Sequence, residues 1–191
     1  MNEPNVAPVQ PLLPPTIQPD NLLKIHLLGP EGEHLESVWA VQTDSGITID
    51  NLPVFAPLGY GDTVDIDADG CITQVLTRSY KCTYAVSLPP SDSTLAEESA
   101  SAWTEALKAA CEDYEHVHEC LTRGVTLVVT EGIDDLMDLL DEAIGAMDAF
   151  QLACLRRAFG QTPLQIALTS SPDMPLGPWA EVLTAVAGAE S

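Results

Sequence analysis

The sequence predicts an α+β fold: a small antiparallel β-barrel-like part, then a ferredoxin-like β-α-β-β-α unit. Three observations predict it. Short runs alternate polar and apolar residues through residues 21–79, with Gly- and Asp-containing turns between them. Helical periodicity appears only after Pro89 and Pro90. From residue 81 onward the elements read strand, helix, strand, strand, helix, an order that lays two helices on one face of an antiparallel sheet.

Residues 1–20 carry Pro4, Pro8, Pro11, Pro14, Pro15 and Pro19. Proline removes backbone donors and resists both helix and sheet, so this stretch is expected to be a flexible arm with polyproline character. LLKIHLL at 22–28 begins the folded part as a strand. ESVWAVQ at 36–42, the Asp44-Ser45-Gly46 turn and ITIDNL at 47–52 make a strand, turn and strand. DTVDID at 62–67, the Ala68-Asp69-Gly70 turn and CITQVLTR at 71–78 repeat the pattern. A meander of this kind protects its edges by curling, as a small barrel does.

KCTYAVSL at 81–88 is the next strand, and Asp92 or Ser93 is placed to cap a helix running to about Tyr114. Residues 115–121 and 124–130 read as strands around Arg123-Gly124. A long helix is predicted from Asp134 to about Phe159, roughly 39 Å at 1.5 Å per residue. Its apolar stripe is Ile133, Met137, Leu140, Ile144, Met147 and Cys154. Asp134, Asp135, Asp138, Asp141, Glu142 and Asp148 lie along the rest of it, and Arg156 and Arg157 suit the dipole at its end. Residues 161–191 form a C-terminal extension in which PLQIALT reads as a strand completing the sheet and WAEVLTAVAG as a short final helix.

Charge bounds the function. Against 29 acidic residues stand 7 basic ones, for a formal net charge of -22 in 191 residues. Such a surface repels nucleic acid and anionic lipid and attracts basic proteins; solubility alone is the plainer use of it. The hydrophobic fraction of 46% fits a folded chain. Five cysteines, odd in number and without a C-x-x-C pair, point to a reducing compartment. The first twenty residues lack Lys, Arg and any unbroken apolar run, so neither a signal peptide nor a membrane span is expected, and a cytoplasmic location follows.

Three constellations offer chemistry, and each has a plainer explanation. Asp65-x-Asp67-x-Asp69-Gly70 copies the first half of a calcium loop, but the twelfth position is Leu76 and the flanks read as strands. His116, His118 and Cys120 alternate along a strand as potential zinc or copper ligands, short of a fourth. The carboxylates from Asp134 to Glu142 fit a basic groove on a partner better than acid–base work, since no catalytic signature accompanies them. P-loop, G-x-G-x-x-G, G-x-S-x-G and H-E-x-x-H motifs are all missing from the sequence.

Glu36-Ser37-Val38-Trp39-Ala40, Asp50-Asn51-Leu52-Pro53-Val54-Phe55-Ala56 and Tyr60-Gly61-Asp62 carry a resemblance. They resemble an uncharacterised bacterial domain-of-unknown-function family with E-S-x-W-A, D-N-x-P-x-F-A and Y-G-D motifs, over residues 24 to about 155. The resemblance implies architecture and bacterial origin rather than an activity. Under it, Trp39 and Phe55 fill the β core, Asn51-Leu52-Pro53 turns tightly, and Asp62 holds the Tyr60-Gly61 turn. A functional cluster of Glu36, Asp50, Tyr60 and Asp62 is the alternative use of the same residues.

The expectation from these readings is a non-enzymatic acidic protein that binds a basic protein partner, without cofactor or metal. Its most concrete form is an immunity or antitoxin-like inhibitor of a basic toxin or nucleic-acid-acting protein. The expected contact residues are Asp134, Asp135, Asp138, Asp141, Glu142 and Asp148. A small-ligand regulatory domain and an enzyme with an unrecognised site are the alternatives.

Overall fold

The computed structural model describes residues 21–29, 31–56, 58–160 and 164–175. The Pro-rich arm and the expected final helix therefore lie outside the described residues. Within them the chain is α+β, with two antiparallel sheets of five and four strands and three helices. No helix among the described residues is long and apolar enough to cross a membrane.

The first sheet is a meander in sequence order: β1 (Leu22–Leu28), β2 (His34–Thr43), β3 (Gly46–Ile49), β4 (Thr63–Ile66) and β5 (Ile72–Thr77). It is open, not a closed barrel. One parallel bridge between His26 and Cys71, with the His26 N–H donating to Gly70 O at 2.8 Å, brings its two ends near each other. The alternation read from sequence sets the register. Ile25, Leu27, Val38, Ala40, Ile49, Val64 and Ile72 point inward and form one core.

Trp39 and Phe55 do not fill that core. Strand period two places Val38 and Ala40 inside and turns Trp39 outward, half-buried with Lys24 Nζ 5.8 Å above its ring. Phe55 stands 64% exposed on the loop after β3.

The second unit runs β6 (Cys82–Ser87), α1 (Ala96–Asp113), β7 (His118–Thr122), β8 (Val125–Thr130), α2 (Ile133–Ala146), α3 (Ala149–Phe159) and β9 (Gln165–Ser170). Its strands lie in the order β7-β8-β6-β9, so the run read as completing the sheet does pair with β6. Tyr84, Val86 and Val128 meet Trp103, Leu107, Cys111, Leu136, Leu140 and Leu155 in the core between sheet and helices. α1 starts later than expected. Leu95 is its N-cap without a side-chain bond, while Ser93 uses its hydroxyl to accept the Leu95 N–H at 3.2 Å.

The single long helix is two helices. Met147 is extended (ψ 139°), and Asp148 opens α3 with a reciprocal capping box. Its carboxylate accepts the Gln151 N–H at 2.8 Å, and Gln151 Oε1 accepts the Asp148 N–H at 2.9 Å. The apolar stripe moves with the break. Leu136, Leu139, Leu140, Ala143 and Met147 are buried, whereas Ile133 and Met137 are nearly half exposed.

A joint holds the two sheets together. Leu52 from the first unit packs on Leu127 and Val129, on the face of the second sheet opposite the helices. Asp62, 1% exposed, accepts the Gly59 N–H at 2.9 Å and the Ser79 N–H at 2.7 Å and pairs with Arg78 Nε at 3.3 Å. Arg78 in turn donates to Ser171 O at 2.8 Å, just past β9.

Candidate functional site

α1 ends in an unusual way that creates a groove. After the C-cap Tyr114, Glu115 adopts φ 56°, the left-handed conformation most often given to glycine. The Glu115 N–H donates to Glu112 O and the His116 N–H to Cys111 O at 2.8 Å, the double closure of a Schellman motif. This turn sets the His116 ring against α2, with Nε2 3.5 Å from Asp135 Oδ1. The other Asp135 oxygen accepts the Glu131 N–H at 3.0 Å and so holds the entry to α2.

Between these elements lies a groove of about 380 Å³, walled by Tyr114 and His116 on one side and by Asp135, Asp138, Leu139, Asp141 and Glu142 of α2 on the other. It shares Tyr114, His116, Asp135 and Asp138 with a second hollow of about 600 Å³ reaching Tyr80, Lys81 and Glu131. Electrostatics there are negative. The Glu142 carboxylate beside Tyr114 raises the pKa of its hydroxyl above the ordinary 10.0, with burial and Asp113 adding to the rise. Lys81 is the cation at the rim, 5.9 Å from the Tyr80 ring and 5.8 Å from that of Tyr60.

Four of the six expected contact residues thus meet: Asp135, Asp138, Asp141 and Glu142. Asp134 is exposed on the first turn of α2 and does not line the groove. Asp148 is exposed but stands apart from the groove. Its carboxylate is engaged in the α3 capping box, on the far side of the helix break. Sequence pattern alone gives no sign of Tyr80, Lys81 or Tyr114 at such a groove, and it offers His116 as a metal-ligand candidate whose plainer use is a solvent-facing histidine.

Among the described residues no group of three His, Cys, Asp or Glu side chains is placed to hold a metal ion. His116 precedes β7 and faces Asp135, while Cys120 is exposed with its thiol on Thr122 O. In the acidic turn, Asp67 Oδ1 accepts the Asp69 N–H at 3.0 Å and the Cys71 N–H at 2.8 Å, so its carboxylate shapes the β4–β5 turn.

Glu36 and Asp62 are engaged in holding the chain. Glu36 accepts the Val54 and Phe55 N–H groups at 3.1 and 2.9 Å and fastens the loop after β3 to β2. Burial lifts the Tyr60 hydroxyl above its ordinary value, and the neighbouring Asp50 carboxylate adds to the lift. Burial likewise raises the pKa of Asp62, with the Ser79 and Gly59 amides and Arg78 pulling it back.

No protein-family model matches the chain. No curated protein matches it either. A solved structure described as that of a hypothetical protein from Neisseria gonorrhoeae is similar at 14% identity and a TM-score of 0.46, over 82% of this chain and 99% of that one.

Proposed function

We propose that this chain is a non-enzymatic binding protein whose acidic groove receives a basic protein. The observation that carries the reading is the convergence of Asp135, Asp138, Asp141 and Glu142 on one groove beside the Tyr114 ring. Carboxylates against an aromatic face suit a Lys or Arg side chain, by Coulomb attraction and by contact with the ring. The net charge of -22 steers such a partner and repels phosphate-rich ones. An immunity or antitoxin-like inhibitor of a basic toxin or nucleic-acid-acting protein, acting in a bacterial cytoplasm, is the concrete form of this reading. The order β7-β8-β6-β9 with its helices on one face supports a ferredoxin-like description of the second unit.

A second reading rests on the same volume. About 380 Å³ is within the usual range for a small-ligand site, and the carboxylate walls restrict such a ligand to a cationic one. The test is affinity capture from lysate of the source cells at low and moderate salt, followed by a triple variant. Asp138→Asn, Asp141→Asn and Glu142→Gln together should weaken capture of one dominant basic protein and flatten its salt dependence. A charge-matched control, Asp65→Asn, Asp69→Asn and Glu105→Gln, should leave capture close to wild type. Equal loss in both variants would reduce the groove to bulk charge. Capture unaffected by the groove variant would remove the site, and capture of no protein would turn attention to cationic small molecules.

A further inference from the structure

Two imidazoles meet one hydroxyl on the outer side of the first sheet. His26 on β1 stands directly opposite Ser37 on β2, and strand alternation turns both away from the core side taken by Ile25 and Val38. Alternation alone would put His34 on that core side, with Glu36 and Val38. A bulge prevents it. Leu27 pairs with Glu36 but Leu28 with His34, so Leu35 is the extra residue and His34 is re-aimed toward Ser37. Ser37 Oγ lies 2.9 Å from His26 Nδ1 and 3.0 Å from His34 Nε2. The two rings meet edge-on, with centroids 5.5 Å apart.

A hydroxyl has one proton to give and two lone pairs. With both rings neutral, Ser37 donates to one ring nitrogen and accepts from the other, so both bonds form without charge. With both rings charged, both nitrogens donate and Ser37 must turn its own proton elsewhere. Two like charges then stand 5.5 Å apart, one of them on a histidine only 8% exposed. His26 is also where the meander closes on itself. Its N–H donates to Gly70 O at 2.8 Å, and its backbone bridges Cys71 just before β5.

The surrounding charges do not neutralise the pair. Lys24, two residues along β1 on the same side, adds to the repulsion. Across the bridge Cys71 keeps its proton, since burial, with Asp67 and Asp69 adding to it, pushes its thiol to about 11. The Asp67 carboxylate is committed to the Asp69 and Cys71 amides, and Asp69 is exposed on the turn. Glu33, between β1 and β2, accepts the Glu31 N–H at 3.0 Å.

We propose that His26, Ser37 and His34 form an acid-sensitive latch on the first sheet: charging both rings parts the cluster and releases the bridge between β1 and Cys71. Opening takes up protons, so closure is held near neutral pH and weakens as pH falls through the range in which imidazoles titrate.

Amide hydrogen exchange of the full chain, followed by NMR, tests this. Protection of the His26 amide, corrected for the pH dependence of exchange itself, should fall about tenfold or more between about pH 7.5 and about pH 5. In His34→Gln, an uncharged replacement at an exposed position, that protection should hold over the same range. The Val86 and Val128 amides of the other sheet should stay protected in both proteins. Equal protection of the wild-type His26 amide at both pH values would overturn the proposal, and so would the same loss in His34→Gln. Should that variant unfold, nitrogen-15 shifts of the wild-type rings decide. At the higher pH one of the nitrogens facing Ser37 is expected bare and the other protonated, and at the lower pH both protonated; any other pattern refutes the latch.

Discussion

Cys111 shows how a single side chain ties stability to pH. Burial, with Glu112 adding to it, pushes its thiol from 9.0 to about 12. Cys71, buried beside Asp67 and Asp69, is pushed to about 11. The folded state therefore holds both protons more tightly than the unfolded chain does. Their contribution is complete below the ordinary thiol value and fades as pH rises through the folded values. The urea midpoint should accordingly decline from about pH 9 upward, and Cys111→Ala should make that decline shallower, as denaturation series at several pH values would show. At this scale sequence reading was uneven. Asp62 as the keeper of the Tyr60-Gly61 turn was legible, because a short acid after glycine hydrogen-bonds locally. Trp39 faces outward because its strand neighbours Val38 and Ala40 claim the inner face, so alternation and not side-chain size decides its place.

Among the elements, the break between α2 and α3 is the main departure from expectation. Its signal was present: Asp148-x-x-Gln151 is a capping-box pattern in the middle of the apparent helix. Periodicity hid it, since Met147 and Cys154 continue a stripe that seems unbroken when read alone. Asp148→Ala should lower stability by about 1 kcal/mol, measured by urea unfolding, and leave partner capture by the groove unchanged. Of the groove, the acidic wall was legible from helical spacing along α2. The opposite wall was not. It depends on Glu115 taking a left-handed conformation that the sequence, with no glycine there, gave no reason to expect.

For the molecule as a whole, Asp62 is the side chain on which both sheets depend. Asp62→Ala leaves the Gly59 and Ser79 amides and the Arg78 guanidinium without their acceptor in a buried place. A loss of about 3–5 kcal/mol is expected in urea titrations, with both sheets affected together. The two antiparallel sheets were legible from alternation and element order, because both are local properties, whereas the first sheet stays open where a barrel-like curl was expected. How the two meet was not, because Leu52 and Leu127 are far apart in sequence and find each other only through the fold. The joint has a consequence for recognition. A chain clamped at Asp62, Arg78 and Ser171 has little hinge freedom to lose when it meets another molecule. Its surface is preorganised, so association demands little ordering entropy from this side, and any adaptation falls to the partner.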